Sequence, residues 1–330
     1  MTHLPAILGC AGPVLLPDEA AFFRDVRPWG FILFSRNIDT AAQTLRLTED
    51  LRDAVGYDAP ILIDQEGGRV QRARPPVARD WLPPLEQVAR AGDNAAASMY
   101  LRARIIAHEL LSLGIDVNCI PTLDVAQEGT HPFLLNRCYG TDPRQVAAIG
   151  QAVAGGLMDG GVLPVIKHIP GHGRAQVDSH LHLPRVTEDR ATLEATDFAP
   201  FQAMADLPLG MSAHVIYDAI DPRPGTISPV VIDLIRTQIG FDGLLMTDDI
   251  SMEALEGTVA ERSAAALAAG CDVTLHCNGD LAEMRDIAAT LPPMTQEAQK
   301  RGRSALSQRA TPAPVDIPGL EAKLAEMIGT

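Results

Sequence analysis

Short apolar runs recur along the chain, and most are followed by a stretch with the 3.6-residue period of an amphipathic helix. Eight of these runs are predicted strands: residues 6–9, 30–34, 61–63, 116–120, 162–166, 209–212, 243–246 and 272–276. Helices are predicted over residues 41–55, 95–113, 143–159, 229–239, 259–269 and 281–289. This alternation indicates a parallel sheet with crossover helices, whose strands are buried on both faces.

Eight strand–helix units in about 290 residues predict an α/β fold of the (β/α)8 TIM-barrel type, built as a single domain. We assign residues 1–299 to the barrel. Residues 300–317 are rich in Arg, Ser, Pro and Ala, which is typical of a surface connection. A short amphipathic helix is predicted near residues 321–327, so residues 300–330 form a linker and a last helix that packs on the barrel or trails it.

The charge balance excludes some classes of partner. The 330 residues include 27 Lys and Arg against 42 Asp and Glu, which gives a net charge of −15 that would repel nucleic acid. No run approaches the ~18 apolar residues of a membrane helix, and no Lys or Arg precedes Arg24 as a signal peptide would require. The five cysteines form no C-x-x-C pair, which favours reduced, mostly buried thiols. We therefore expect a cytoplasmic protein without nucleic-acid or membrane partners.

Unusual polar residues follow four of the predicted strands directly. They are Asp64, the pair Lys167 and His168, His214, and the pair Asp248 and Asp249. The carboxyl ends of barrel strands converge on one face, where the active sites of such barrels lie. One polar residue after one strand is commonplace, but the coincidence over four strands predicts a functional site.

The segment over residues 167–184 is the densest in candidate groups, with four histidines and several Gly and Pro breaks. Asp178 can accept from one nitrogen of His180 and orient the ring, so that the other nitrogen moves a proton. Several of these histidines with a carboxylate could instead bind zinc, although the spacings of common zinc sites are absent. His172 and His182 are expected to satisfy backbone groups of the loop rather than to take part in chemistry.

The Asp248–Asp249 pair ends a strongly apolar strand, so at least one carboxylate is expected to face the barrel mouth. The other can cap the turn or helix that follows. Glu66 and Arg69 could simply pair with each other, and Arg137 is either a clamp for hydroxyl or carboxylate groups or part of a surface salt bridge. No P-loop or dinucleotide-binding glycine pattern is present, so nucleotide binding has no support.

These motifs together carry a family resemblance. KHIPGHG followed by DSHLHLP, with IDQEGGRV upstream and AHVIYDAIDPRP and GFDGLLMTDDISM downstream, resembles the glycoside hydrolase family 3 β-N-acetylglucosaminidases of Gram-negative bacteria. The similarity runs from about residue 30 to residue 278. It implies a single-domain TIM barrel, a retaining mechanism, and no metal or organic cofactor. It also implies removal of terminal N-acetylglucosamine from cytoplasmic muropeptides during cell-wall recycling.

The resemblance also implies roles for single residues. Asp248 matches the nucleophile that forms a covalent glycosyl-enzyme, and His180, oriented by Asp178, matches the general acid/base. The residues that match sugar-binding positions are Asp64, Arg137, Lys167, His168 and, lining the same pocket, His214. A histidine here replaces the second carboxylate of the usual retaining pair. Because imidazolium does not repel an anion, phosphate could replace water as the acceptor.

Three other functions stay open from the sequence. The chain could be an N-acetylglucosaminide phosphorylase with the same residues, or a metal-dependent barrel hydrolase that uses the histidine loop. It could also be a sugar-binding protein without turnover, although a binder has no need of both Asp248 and His180. The expected partner is a small carbohydrate, and a monomer is expected.

Overall fold

The computed structural model describes residues 3–176, 183–252, 255–312 and 314–329. Its strands are β1 Leu4–Gly9, β2 Pro28–Leu33, β3 Ile61–Ile63, β4 Gln65–Gly67, β5 Val70–Gln71, β6 Val117–Asn118, β7 Leu163–Ile169, β8 Arg185–Val186, β9 Leu209–Ser212, β10 Ile216–Tyr217, β11 Asp221–Pro224, β12 Leu244–Asp249 and β13 Val273–His276.

The helices in the same ranges are α1 Pro17–Val26, α2 Ala41–Val55, α3 Pro84–Ala91, α4 Ala95–Ser112, α5 Pro132–Leu135, α6 Pro143–Asp159, α7 Arg190–Ala195, α8 Ala199–Gln202, α9 Pro229–Leu234, α10 Val259–Ala269, α11 Leu281–Thr290, α12 Gln296–Leu306 and α13 Ile317–Ile328. A π-helical turn, Ile235–Ile239, extends α9.

Eight parallel strands close into a barrel in the order β1-β13-β12-β9-β7-β6-β3-β2. These are the eight strands that the hydrophobic pattern predicts, so the (β/α)8 fold is confirmed. The short strands β4 and β5 form a hairpin immediately after β3, and β8, β10 and β11 form a small separate sheet. Both additions follow barrel strands at their carboxyl ends and so build up the rim of one face.

Local capping sets the limits of several helices as the sequence suggests. The Thr40 hydroxyl accepts from the backbone N–H of Gln43 at the start of α2, and Gly56 ends that helix with a φ of 68°. Asp142 caps α6 immediately before Pro143. The observed bounds of α2 and α6 equal the predicted ones.

The barrel is covered at its amino-terminal end by a helix that the sequence analysis missed. Ala298 and Ala305 of α12 belong to the buried cluster that contains Trp29 and Leu244, the residues near the start of β2 and β12. The expectation of a surface connection over residues 300–317 is therefore wrong for its first part, because α12 covers the base of the barrel up to Leu306. The division at residue 299 stays a prediction.

Two further expectations from the sequence concern the cysteines and membrane-spanning helices. All five cysteines are free and buried, as predicted for reduced thiols. No helix in the described ranges is long and apolar enough to cross a membrane.

Candidate active site

A cavity of about 160 Å³ opens where the carboxyl ends of the barrel strands converge. Five of the predicted site residues line it: Asp64, Arg137, Lys167, His168 and Asp248. Apolar residues, among them Ile32, Phe34, Met211 and Leu275, also line the cavity. Several polar groups and an apolar surface thus share one compact space, as in sites that bind a small ligand.

Asp64 is held between two cations. Its Oδ1 accepts from Nζ of Lys167 at 2.9 Å, and its Oδ2 accepts from Nη2 of Arg72 at 2.9 Å. Burial acts to raise the pKa of this carboxyl, but Lys167 and Arg72 outweigh burial and hold the pKa far below its ordinary value. Asp64 is therefore a carboxylate at neutral pH and can only accept hydrogen bonds.

Glu66 joins Lys167 to a third cation of the site, Arg137. Arg137 binds its carboxylate in a bidentate manner, with Nε and Nη2 each 2.8 Å from an oxygen, and Nζ of Lys167 lies 2.6 Å from Oε1. Burial acts to raise the pKa of Glu66, but Arg137 and Lys167 lower it to about 2. The interpretation of Arg137 as part of a surface salt bridge is wrong, because both partners are buried.

His168 is oriented by a carboxylate that the sequence analysis did not single out. Nδ1 of His168 lies 2.7 Å from Oδ2 of Asp124, whose pKa falls to about 2 because His168 outweighs the effect of burial. An ionised carboxylate only accepts, so the proton of the ring is on Nδ1. Nε2 then lies 3.5 Å from Nη2 of Arg137 and carries a lone pair when the ring is neutral.

His172 also lines the cavity, contrary to the expectation that it serves the loop backbone. Its backbone N–H donates to Asp124, but neither ring nitrogen has a hydrogen-bond partner among the described residues. Burial, with a smaller effect of His168, lowers the pKa of His172 to about 4. The ring is neutral at pH 7 and presents one donor and one acceptor.

The two adjacent aspartates at the end of β12 differ in their surroundings. Asp249 is bound by protein groups: its carboxylate accepts from the N–H and hydroxyl of Ser251 and from the N–H of Cys277. Oδ1 of Asp248 accepts from the backbone N–H of Asp249 at 2.8 Å, and both aspartates line the cavity. The contacts with Ser251 make Asp249 the residue that caps the turn, as the sequence predicts for one member of the pair.

His214 is not among the described residues that line this cavity, in contrast to the expectation that it lines the sugar pocket. Its Nδ1 lies 2.8 Å from the hydroxyl of Thr226 and its Nε2 3.0 Å from the carbonyl of Asp249. Both ring nitrogens are therefore occupied by protein groups. Burial lowers the pKa of this ring, which favours the neutral form.

The predicted dyad of Asp178 and His180, together with His182, lies outside the described residues. Within the described ranges, no group of three or more His, Cys, Asp or Glu side chains is placed to hold a metal ion. The described part of the site therefore offers a carboxylate, Asp248, beside a set of fixed charges and imidazole nitrogens. This arrangement can bind hydroxyl groups and attack an electrophilic carbon.

Three residues of the site were not predicted: Arg72, Asp124 and the structural partner Glu66. Glu66 and Arg72 belong to the β4–β5 hairpin, which follows Asp64 in the IDQEGGRVQR segment. Asp124 follows Thr122, which forms an isolated bridge with Lys167 beyond the end of β6. Asp124 does not directly follow the predicted strand 116–120, which is the position that pointed to Asp64 and Asp248, so the strand-end pattern did not include it.

Comparison with known families gives a match over most of the chain. The sequence profile described as the glycosyl hydrolase family 3 N-terminal domain matches residues 20–303. A protein named Beta-hexosaminidase from Alkalilimnicola ehrlichii is 37% identical over 283 residues, which is 83% of this chain and 80% of that protein. These matches bear out the resemblance drawn from the motifs.

Solved structures give the same result. NagZ from Neisseria gonorrhoeae, in complex with N-trifluoroacetyl-D-glucosamine, superposes with a TM-score of 0.88 at 29% identity over 100% of this chain and 98% of that one. A structure of the same neisserial protein in complex with zinc ion superposes with a TM-score of 0.86 at 28% identity, with the same coverage.

Proposed function

The chain belongs to glycosyl hydrolase family 3, and we propose that it is a retaining exo-β-N-acetylglucosaminidase. The observation that carries the proposal is the shared cavity: the Asp248 carboxylate opens into the same space as Asp64, Arg137, Lys167 and His168. A protein that only binds sugar needs the four residues that hold the hydroxyl groups. A hydrolase also needs a nucleophile in the same cavity, and Asp248 is in that position.

Two displacements account for the reaction. In the first, an Asp248 oxygen forms a bond to the anomeric carbon as the bond to the leaving oxygen breaks, and that oxygen takes a proton. In the second, water attacks the same carbon, gives up a proton and releases the aspartate, so the anomeric configuration is retained. We assign both proton transfers to His180 oriented by Asp178, from the sequence motif that these residues share with the family.

The sugar-binding residues have hydrogen-bonding capacity left after their contacts with each other. Two of the three N–H donors of Lys167 go to Asp64 and Glu66, which leaves one for a sugar hydroxyl. Each Asp64 oxygen accepts one hydrogen bond and can accept another. Nε2 of a neutral His168 has one lone pair, which lies 3.5 Å from Nη2 of Arg137, and a sugar hydroxyl would take the place of this long contact. These groups are rigid before the sugar arrives, which limits the entropy lost on binding.

The natural substrate that we propose is a cytoplasmic muropeptide with a terminal N-acetylglucosamine, released in peptidoglycan recycling. The support is the motif resemblance together with the neisserial NagZ, which binds an N-acylated glucosamine. The cytoplasmic location belongs to the same proposal, and so does the absence of a required cofactor.

Hydrolysis of a 4-nitrophenyl N-acetyl-β-glucosaminide, compared with the β-glucoside, tests the activity. We expect a strong preference for the N-acetyl substrate, no loss of rate with EDTA, and no acceleration by phosphate. Faster turnover with phosphate would assign the chain as a phosphorylase. Loss of activity with EDTA, restored by zinc, would return the histidine loop to a metal-dependent mechanism.

A further inference from the structure

We propose that His214 is a positioning residue for the nucleophile: its ring holds the backbone carbonyl of Asp249 and thereby fixes the strand end that carries Asp248. This inference rests on the proposed function, because it takes Asp248 as the nucleophile. It differs from the role expected from the sequence, in which His214 would contact the sugar itself.

The Asp249 residue is held at every polar group. Its carbonyl accepts from Nε2 of His214 at 3.0 Å, and its N–H donates to Oδ1 of Asp248 at 2.8 Å. Its carboxylate accepts from Ser251 and from the N–H of Cys277. Any rotation of this residue therefore moves the N–H that orients the Asp248 carboxylate.

The direction of the hydrogen bonds determines the tautomer of His214. A carbonyl oxygen only accepts, so Nε2 of His214 must carry a proton. With a neutral ring, Nδ1 needs a donor, so the single hydroxyl hydrogen of Thr226 goes to Nδ1 at 2.8 Å rather than to the Ala213 carbonyl, which lies 3.1 Å from the same hydroxyl. The hydroxyl of Ser212, 2.8 Å from that of Thr226, donates to it in turn. One chain of donors thus runs from Ser212 through Thr226 and His214 to the Asp249 carbonyl.

Burial makes this chain rigid. Ser212, His214 and Thr226 are all fully buried, so water does not compete for their hydrogen bonds. Burial also lowers the pKa of His214, which keeps the ring neutral and the chain in one direction. The His214 side chain is not among the described residues that line the cavity, so its loss should affect the position of Asp248 and leave the sugar contacts in place.

Two substitutions at His214 separate this role from a general packing role. The amide nitrogen of Gln reaches the position of Nε2, whereas the amide of Asn reaches only that of Nδ1. We expect His214→Asn to lower kcat about 10- to 100-fold, the cost of misplacing a reacting group. The dissociation constant for N-acetylglucosamine should stay within about twofold of wild type. His214→Gln should recover kcat to within about threefold.

A second pair of variants tests the hydrogen bond between Nδ1 of His214 and the Thr226 hydroxyl. Thr226→Val removes the hydroxyl that donates to Nδ1, and Thr226→Ser keeps it. We expect a lower kcat for the Val variant, with binding of N-acetylglucosamine unchanged, and a near wild-type kcat for the Ser variant. If His214→Asn fails to fold, this pair decides the question. Long-range ¹H–¹⁵N NMR of wild type should show His214 as the Nε2–H tautomer.

The outcomes that overturn the proposal are specific. They are equal losses of kcat in His214→Asn and His214→Gln, a loss in sugar binding rather than in kcat, equal kcat values in the two Thr226 variants, or an Nδ1–H tautomer. Failure of the proposed function has a different signature, since wild type itself would then lack activity or Asp248→Asn would retain it.

Discussion

Glu66 organises the cations of the cavity, although it does not itself line the cavity wall. Its carboxylate separates Lys167 from Arg137, which would otherwise repel each other in a buried space. The orientation of two proposed sugar-binding residues therefore depends on a residue outside the substrate contacts.

Replacing Glu66 with Gln should weaken both stability and substrate binding. Removing one partner of a buried ion pair leaves an uncompensated charge, so we expect the free energy of unfolding to fall by about 3–5 kcal/mol. KM should rise about tenfold or more as Lys167 and Arg137 move apart. Urea denaturation and steady-state kinetics measure the two effects.

The matched control is Glu86→Gln. Glu86 pairs with Arg90 on the surface of α3, where both side chains are more than 40% exposed. A surface pair of this kind contributes about 0–1 kcal/mol. Equal losses of stability in the two variants would contradict a special role for Glu66.

His172 should make the protein less stable in mild acid. Burial lowers its pKa from 6.5 to about 4 in the folded state, so between these values the unfolded chain binds a proton that the folded one resists. The free energy of unfolding should therefore fall by about 3 kcal/mol as pH drops from about 6.5 to 4. Urea denaturation across this range should show a flatter dependence for His172→Gln.

The control for this prediction is His108→Gln, at an exposed position on α4. It should leave the pH dependence of the free energy of unfolding as it is in wild type. A pH dependence that is the same in wild type and His172→Gln would show that the buried ring is protonated as readily as the unfolded one.

The sequence predicts which residues lie at the site better than it predicts the directions of their side chains. Asp64, Lys167 and Asp248 were found from their positions after strands, because strand ends converge in any barrel. His214 also follows a predicted strand, but its ring contacts Thr226 and Asp249. The run of apolar residues before it does not show in which direction the side chain points. Asp124 was missed because it lies four residues beyond the end of the predicted strand 116–120, rather than directly after it.

At the scale of elements, α12 stabilises the barrel by packing against its amino-terminal end. Gly302 lies where a Cβ would come 2.6 Å from Nε1 of Trp29, which is itself buried. A Gly-to-Ala change inside a helix normally stabilises by about 1 kcal/mol. Here overpacking should outweigh this gain, and we expect Gly302→Ala to lower the free energy of unfolding by about 1–3 kcal/mol.

Gly155 in α6 provides the matched control. An added Cβ there would lie 3.9 Å from the Tyr100 ring, an ordinary contact. Gly155→Ala should therefore raise the melting temperature while Gly302→Ala lowers it. If both raised the melting temperature, α12 would pack less tightly on Trp29 than the structure indicates.

Strands and long helices are predicted from periodicity, whereas the base of the barrel is not. The helix α12 has small residues, Ala298, Gly302 and Ala305, on its buried face, and charged residues elsewhere. The buried face of α12 has no large apolar side chain, and the helix as a whole is strongly hydrophilic, so the segment looks like a surface connection. Its burial follows from the shape of the barrel base, which only the folded chain defines.

At the scale of the whole molecule, the C-terminal segment has two parts with different roles. Truncation after residue 311 removes α13, whose buried residues include Ile317 and Leu324, and should lower the melting temperature while leaving kcat within about twofold of wild type. Truncation after residue 295 also removes α12 and uncovers the barrel core. We expect that chain not to fold, as measured by circular dichroism.

A folded and active chain of residues 1–295 would contradict this division and support the expectation that the whole segment is a tail. The monomeric state also stays a prediction, which sedimentation equilibrium of the full chain can measure. Neither result bears on the identity of the nucleophile.

The most direct test of the central claim is to trap the glycosyl-enzyme. Wild type is treated with a 5-fluoro derivative of an N-acetylglucosaminyl fluoride, which slows release of the intermediate, and the labelled peptide is identified by mass spectrometry. The account predicts one sugar per chain, attached to Asp248, and no label in Asp248→Asn. A label on any other residue, or a wild-type enzyme that hydrolyses the substrate without ever becoming labelled, would contradict it.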